Sequence, residues 1–301
     1  MQPAPALAQP RSLLQVLRDI VALTKPRITF MVVVTAAGGY WLASRFFGLD
    51  PLGDPSRLIA LLLGSALVVS GANALNMFLE RDTDGLMART KSRPLPTGRL
   101  TPEVALIVGL GLSAVSVPLL TMGTEPATGL LAAIALVSYV VVYTPLKRRS
   151  PIALLVGSIP GAIPPLMGWA AVRGTMDLPG VVLFAIMFFW QVPHFLAIAT
   201  FRREEYARAG MKVGPIVYGD RVSRHHIVRY TAALVITSMM LVPFGIGGTA
   251  YLVVALFLGA VFFAVGVWGL RSSAGNRWAR GLFFTSMVYL TGLFAALTVV
   301  A

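Results

Sequence analysis

Long apolar stretches separated by short polar segments fill the chain from residue 27 onward. A helix that crosses a membrane needs about 20 mostly apolar residues. Because backbone polar groups must be hydrogen-bonded within hydrocarbon, helices are the expected structure for such stretches. The pattern predicts an all-α polytopic membrane domain over residues 27–301. Its nine transmembrane helices are expected at residues 27–47, 57–80, 102–122, 127–145, 151–172, 179–200, 227–246, 250–270 and 280–300.

Residues 1–26 have a different pattern and are predicted to form a separate cytoplasmic segment. The segment lacks the features of a signal peptide, in which a basic region is followed by a compact apolar region and a cleavage site with small residues. Apolar side chains recur there at helical spacing, which predicts an amphipathic helix on the membrane surface. These residues are Leu13, Leu14, Val16, Leu17, Ile20, Val21 and Leu23.

The basic residues fall mainly on one side of the predicted bundle. If the N-terminus is cytoplasmic, all of the 25 Lys and Arg residues except Arg45, Arg57 and Arg173 lie in or beside cytoplasmic segments. Cytoplasmic loops carry such an excess in membrane proteins. The sequence therefore predicts an integral membrane protein with a cytoplasmic N-terminus, as in a bacterial inner membrane.

Composition narrows the classes of function. Only 12% of residues are charged and 56% are hydrophobic, whereas a soluble domain has about 25% charged residues. The chain has no cysteine, which excludes disulfides and thiolate nucleophiles. The net charge is +13, but the basic residues lie in short loops between spans. We therefore expect membrane lipid, and no nucleic acid, as a partner.

Three polar residues occupy the end of the second predicted span. Asn76, Glu80 and Asp84 are four residues apart, so they lie along one stripe of a helix. Paired carboxylates suit Mg²⁺, which prefers oxygen ligands and bridges them to phosphates. Glu80 and Asp84 are thus candidate ligands, and Asn76 would orient the ion. An ordinary helix end with solvated charges is the alternative. As a metal ligand at the interface, outside the packed core, Asp84 should tolerate replacement by Asn with loss of activity but little loss of folding.

Basic and phenolic groups near this stripe could bind an anion. Arg89 and Arg93 follow it closely, and arginine grips phosphate oxygens with two hydrogen bonds. Tyr143 and Lys147 flank Pro145 at the end of the fourth span, where the proline is expected to stop the helix. Positive charge that serves only membrane topology remains the alternative for the basic groups.

A second polar group surrounds the end of the sixth span. Gln191 and His194 lie within an apolar run, where polar residues are costly and usually functional. His194 could bind haem, carry protons or pack as a hydrogen-bonded residue. Beyond the span, Glu205 stands three residues from both Arg202 and Arg208. That spacing fits either a substrate-binding face or a surface salt-bridge ladder.

These motifs resemble those of the UbiA superfamily of intramembrane prenyltransferases. The family has nine helices, with acidic motifs after spans two and six. Here the first motif reads Asn76-x-x-x-Glu80-x-x-x-Asp84, and the second is FRREEYAR rather than two aspartates. The stretches LMARTKSRPLPTG, YTPLK, WQVPHF and EEYARAGMKVGP are similar to the haem-modifying branch in particular. The resemblance covers most of the chain and implies nine helices around a central apolar cavity.

The resemblance also implies a reaction. Farnesyl diphosphate would donate its farnesyl group to a vinyl group of haem B, with Mg²⁺ as the cofactor. Glu205 would hold a second metal or position an arginine, and haem-handling or terminal-oxidase assembly proteins would be partners. The resemblance implies a catalytic set formed by Asn76, Glu80, Asp84, Lys147 and Tyr143. The residues implied in substrate binding are Arg89, Arg93, Arg202, Glu205, Arg208, His194 and Gln191. An aromatic quinone precursor as acceptor and a secondary transporter are the alternatives.

Overall fold

The computed structural model describes residues 12–271 and 273–300, so residues 1–11 of the predicted N-terminal segment lie outside the described residues. This part of the chain is helical, without strands. The α-helices are α1 (Leu13–Leu23), α2 (Pro26–Phe46), α3 (Pro55–Asp84), α4 (Pro102–Gly123), α5 (Pro126–Val137), α6 (Thr144–Leu146), α7 (Ala153–Arg173), α8 (Leu178–Phe201), α9 (Arg203–Arg208), α10 (Gly214–Val217), α11 (Gly219–Met239), α12 (Gly248–Trp268) and α13 (Asn276–Val300). A π-helical turn, Ser138–Tyr143, joins α5 to α6, and a 3₁₀ turn, Val242–Phe244, follows α11.

The described helices confirm the all-α membrane architecture. Eight segments are long and apolar enough to cross a membrane, and the count reaches nine when α1 and α2 are taken together across a 48° bend. The predicted first span corresponds to α2, and α1 covers residues of the amphipathic N-terminal pattern. Leu23 of α1 is buried, while Leu13, Leu14 and Leu17 are exposed.

The predicted start of the seventh span is wrong by eight residues. That span was expected at residue 227, but α11 begins at Gly219. Its first two turns are polar and charged, with the sequence GDRVSRHH. A search for apolar runs misses such turns because their residues are polar, although their backbone hydrogen bonds continue the same helix.

Pro145 does not stop the helix between Tyr143 and Lys147, contrary to the sequence-based expectation. The backbone widens into the π-helical turn before the proline, and helical structure continues through α6 to Leu146. Thr144 donates both its backbone N–H and its hydroxyl to the carbonyl of Tyr139. The wider turn therefore accommodates the proline, which has no N–H to donate.

Glycines allow α2 and α7 to pack closely. A Cβ added at Gly168 would lie 1.9 Å from the carbonyl oxygen of Ala36, and one at Gly39 would lie 2.0 Å from that of Pro165. Small residues at helix interfaces let backbones approach in membranes. The α2–α7 contact therefore depends on the missing side chains, and it brings the second half of α2 close to α7.

We expect Gly168→Ala to destabilise the protein by about 1–3 kcal/mol or more, because the new methyl group must push two helix backbones apart. Gly281→Ala is the matched control, since a Cβ there meets no atom within 4 Å. That variant should be neutral or more stable by up to about 1 kcal/mol. Thermal unfolding in detergent measures both changes, and equal midpoints would contradict the close-packing argument.

Candidate active site

The polar stripe at the end of α3 faces the protein interior. Asn76, Glu80 and Asp84 are only 2%, 4% and 1% exposed. Glu80 contacts the ammonium of Lys147, and Asp84 Oδ2 accepts a hydrogen bond of 2.6 Å from Arg93. The expectation that Asp84 lies at the interface, outside the packed core, is therefore wrong. Helix packing and the loop after α3 cover the side chain and supply its ionic partner.

Asn76 connects three separate parts of the chain. Its Oδ1 accepts a hydrogen bond of 3.1 Å from Lys25 Nζ, and its Nδ2 donates one of 3.1 Å to Thr144 Oγ1. The Thr144 hydroxyl in turn donates to the carbonyl of Tyr139, at 2.8 Å. The π-helical turn, the end of α3 and the start of α2 are thus joined through one amide.

Lys25 belongs to this site, although its sequence position indicated only positive charge beside the first span. The residue lies between α1 and α2 with a φ of 48°, the only positive φ among the described non-glycine residues. Side chains rarely adopt that conformation, and such strain clusters at functional sites. The Lys-Pro pair at the start of an apolar run was the available signal, but it does not reveal Asn76 as the partner.

The site carries more positive than negative charge. Two carboxylates, Glu80 and Asp84, face three cationic side chains, Lys25, Lys147 and Arg93. Burial and the nearby positive charge of Arg93 lower the pKa of Lys25 to about 7. Burial also lowers the pKa of Lys147, although the charge of Glu80 opposes the shift. The excess of cations suits a bound anion, which would stabilise their charged forms.

The lowered pKa of Lys25 predicts that stability rises with pH. Between about pH 7 and 10.5, the unfolded chain binds a proton at Lys25 that the folded protein does not bind. The free energy of unfolding should therefore increase through that window and level off below its lower limit. Lys25→Met should flatten the rise in thermal midpoint, whereas Lys91→Met, at an exposed position, should keep it. Identical pH profiles for the two variants would refute the expectation.

The two segments that follow α3 and α8 meet above the stripe. Glu205 Oε2 accepts a hydrogen bond of 2.9 Å from Arg202, and Oε1 accepts one of 3.4 Å from the backbone N–H of Arg89. Met87 from one segment packs on Met211 from the other. Partial burial opposes the change, but these hydrogen bonds lower the pKa of Glu205. Glu205 therefore joins the two segments as an anion.

Arg208 differs from the other predicted members of this group. It lies exposed at the end of α9, and the hydrogen bonds to Glu205 come from Arg202 and Arg89 instead. A second link nearby joins the backbone N–H of Lys212 to the carbonyl of Lys147, at 3.2 Å. The structure thus brings the segments after α3, α6 and α8 together at one end of the bundle.

Gln191 and His194 lie deeper in α8, and each contacts a neighbouring helix. Gln191 Nε2 donates to the backbone carbonyls of Ser158 and Met187, at 3.0 and 3.1 Å. His194 Nδ1 lies 2.7 Å from the hydroxyl of Ser286 in α13. Both amide hydrogens of Gln191 are thus used in binding α8 to α7 and within α8. A substrate contact for either residue stays a prediction.

The family model of the UbiA prenyltransferase family matches residues 32–288, which is most of the chain. The chain belongs to the UbiA prenyltransferase family. Among its relatives, a protoheme IX farnesyltransferase of Sorangium cellulosum is 57% identical over 89% of this chain and 99% of its own. The enzyme of the same name from Myxococcus xanthus is 50% identical over 96% and 97% of the two chains.

Solved structures show the same fold for this UbiA prenyltransferase. A digeranylgeranylglyceryl phosphate synthase superposes with a TM-score of 0.80 at 19% identity, over 95% of this chain and 98% of its own. A UbiA homologue from Archaeoglobus fulgidus, bound to GPP and Mg²⁺, superposes with a TM-score of 0.61 at 18% identity. That alignment covers 93% of this chain and 99% of the homologue.

The α3 carboxylates of this UbiA prenyltransferase fit a magnesium ion. The described residues contain no group of three or more His, Cys, Asp or Glu side chains placed to hold a metal. Glu80, Asp84 and Glu205 therefore do not form one three-ligand cluster in this structure. However, Asp84 Oδ1 is buried and has no hydrogen-bond partner in the structure. Mg²⁺ commonly uses one or two carboxylates with waters and phosphates, so two protein ligands such as Glu80 and Asp84 would be enough for such an ion.

Proposed function

We propose that this protein transfers the farnesyl group of farnesyl diphosphate to a vinyl group of haem B, giving haem O and diphosphate. The observation that carries the proposal is the buried stripe of Asn76, Glu80 and Asp84 among three cations at one end of an apolar helix bundle. Acidic and basic groups at the edge suit a metal-bound diphosphate, and the bundle suits an isoprenoid tail.

The acceptor follows from the relatives rather than from the site. Two proteins that share 57% and 50% of their residues with this chain are named protoheme IX farnesyltransferases, and each aligns over nearly its full length. The site alone is compatible with other acceptors, because its ionic groups would hold only the diphosphate. The proposal therefore joins a diphosphate site, argued from geometry, to a haem acceptor, argued from relatives.

The basic side chains would hold the leaving group. Lys25, Lys147 and Arg93 already surround the two carboxylates, and Arg89 and Arg202 lie with Glu205 in the segments above. Glu80 and Asp84 would hold Mg²⁺, which neutralises charge as it develops on the departing diphosphate. Positioned cations contribute in the same way, because they favour the charge distribution of the transition state.

The proposed reaction breaks the bond between farnesyl C1 and the diphosphate oxygen. The terminal vinyl carbon of haem B forms a bond to C1, and a water oxygen adds to the other vinyl carbon with release of one proton. Early capture of the allylic cation by water would waste the substrate. The segments that pack together above the site, through Met87 and Met211, would limit that access.

Incubation of the purified protein with farnesyl diphosphate, haem B and Mg²⁺ tests the proposal. Mass spectrometry should detect haem carrying one farnesyl group and one added water, and chelation of Mg²⁺ should stop its formation. Hydroxybenzoate replaces haem B in a parallel reaction. Prenylation of that compound but not of haem would support the quinone-precursor alternative. Solute uptake into vesicles without any prenyl transfer would support the transporter alternative.

We also infer the orientation of the protein from its charge distribution. The segments after α3, α6 and α8 are rich in Lys and Arg, and the contacts described above bring them to one side. The positive-inside rule assigns that side, with the N-terminus, to the cytoplasm. Cysteine labelling of a Lys91→Cys variant from either side of oriented vesicles tests this placement in a bacterial inner membrane. Haem-handling or terminal-oxidase assembly partners remain a prediction.

A further inference from the structure

The imidazole of His194 is held in a fixed orientation between aromatic rings. The ring stacks on Trp190 with centroids 4.5 Å apart, and the ring centroid of Phe283 in α13 lies 4.7 Å from that of the imidazole. The Trp190 indole N–H donates a 2.6 Å hydrogen bond to the backbone carbonyl of Ser286. Because Ser286 also contacts His194 through its hydroxyl, one residue of α13 is bound twice to the same turn of α8.

The hydrogen-bond partners of Ser286 determine which histidine nitrogen carries the proton. A hydroxyl has one hydrogen to donate, and the Ser286 hydroxyl lies 2.6 Å from the backbone carbonyl of Phe283, which can only accept. The hydroxyl must then accept from His194 Nδ1, at 2.7 Å. Nδ1 therefore carries the hydrogen, and Nε2 of the neutral ring carries a lone pair.

The Nε2 lone pair has no hydrogen-bond partner among the described residues, and no carboxylate there contacts the ring. The imidazole is partly buried among aromatic side chains, where a charged form would be costly without a partner. A neutral ring with a free Nε2 is the form of histidine that binds metal ions. Such ligands usually donate their other N–H to a second group, which fixes the tautomer.

The position of His194 matches the acceptor end of the proposed reaction. Gln191 binds α7 and His194 binds α13, while α2 packs on α7 and also contacts α13 and α8. The side of α8 that bears these two residues therefore faces α7 and α13, the two helices that also contact α2. His194 is seven residues before Phe201, where α8 ends, so it lies about 10 Å below the ionic edge of the bundle.

We propose that Ser286 is a positioning residue that holds His194 in the Nδ1–H tautomer, so that Nε2 binds the iron of the haem acceptor as an axial ligand. The inference rests on the proposed function, and it names the contact that would hold the porphyrin. An iron ligand about 10 Å below the side chains that would hold the diphosphate would fix the distance between a vinyl group and farnesyl C1. Ser286 itself is fully buried and acts only through His194.

Binding measurements with two porphyrins test the iron contact. Haem B and iron-free protoporphyrin IX are titrated into the purified full-length protein in detergent, without farnesyl diphosphate. We expect His194→Ala to weaken haem B binding at least about tenfold and to leave protoporphyrin IX binding unchanged. An equal loss for both porphyrins would mean that His194 only shapes the pocket, and it would overturn the inference even if the variant folds less well.

Spectroscopy of the ferrous haem complex tests the role of Ser286. Resonance Raman should show an iron–histidine stretching band in the wild type, its loss in His194→Ala, and a shifted band in Ser286→Ala. Ser286→Ala should also weaken haem B binding about tenfold or more, as removal of groups that orient metal ligands does. Thr285→Val is the matched control, because it deletes the neighbouring hydroxyl, which bonds to Gly281. A band unchanged in Ser286→Ala would overturn the positioning role.

Two outcomes distinguish a failure of the iron contact from a failure of the proposed farnesyl transfer. A wild type that farnesylates haem B but shows no iron–histidine band would overturn the inference and leave the function standing. A wild type that binds haem through His194 but forms no farnesylated product would overturn the function and leave the iron contact standing.

Discussion

Replacing Glu80 by glutamine is expected to lower the rate of prenyl transfer by at least about a hundredfold, the typical effect of removing one group that stabilises transition-state charge. Glu80 is 4% exposed and contacts Lys147. The amide has nearly the same shape but no charge, so it would bind Mg²⁺ weakly and would leave the Lys147 ammonium without its anion. The initial rate of product formation, measured by mass at saturating haem B, checks the expectation.

Asp82→Asn is the matched control for this change. Asp82 lies two residues from Glu80 on the same helix, but its side chain is 82% exposed and faces Arg81. The substitution removes the same charge from the same end of α3, so any general electrostatic effect would appear in both variants. Activity within about twofold of the wild type is expected. A comparable loss in both variants would show that the buried stripe is not the centre of the chemistry.

Arg93→Gln is expected to destabilise the folded protein by about 3–5 kcal/mol in the absence of Mg²⁺, as breaking a buried ion pair does. The substitution leaves Asp84, which is 1% exposed, as an unpaired charge inside the bundle. Asp84→Asn should cost less, because the Arg93 side chain is 17% exposed and can still reach water. The double variant should lose less than the sum of the two single changes. Unfolding free energies from detergent titration give all three values.

Added Mg²⁺ and an exposed ion pair provide two comparisons for the Arg93→Gln variant. A divalent ion at Asp84 would replace part of the missing positive charge, so Mg²⁺ should raise the thermal midpoint of Arg93→Gln more than that of the wild type. Arg203→Gln breaks an exposed pair with Asp220, whose side chains are 47% and 42% exposed. Such pairs contribute about 0–1 kcal/mol. Equal destabilisation by the two arginine substitutions would contradict the buried-pair explanation.

The amino-acid sequence alone determined the class of fold and the shared helix face of the three polar residues at the end of α3. Runs of apolar residues are typical of helices that cross hydrocarbon, so the long helices fall close to the predicted spans, apart from the polar start of α11. Spacing of four residues predicts a shared helix face for Asn76, Glu80 and Asp84, and all three side chains are buried in the structure. Both signals are contained within about 25 neighbouring residues, and neither needs knowledge of which helices pack together.

The tertiary structure decided which groups meet that stripe. Lys25 is 51 residues from Asn76, and Glu205 is 116 residues from Arg89. Contacts at such separations depend on helix packing, and they determine whether a basic residue is a ligand or only a topological charge. The polar start of α11 and the π-helical turn before Pro145 escaped prediction for a related reason. Their backbone hydrogen bonds form without a matching hydrophobic pattern in the sequence, so only the packed chain reveals them.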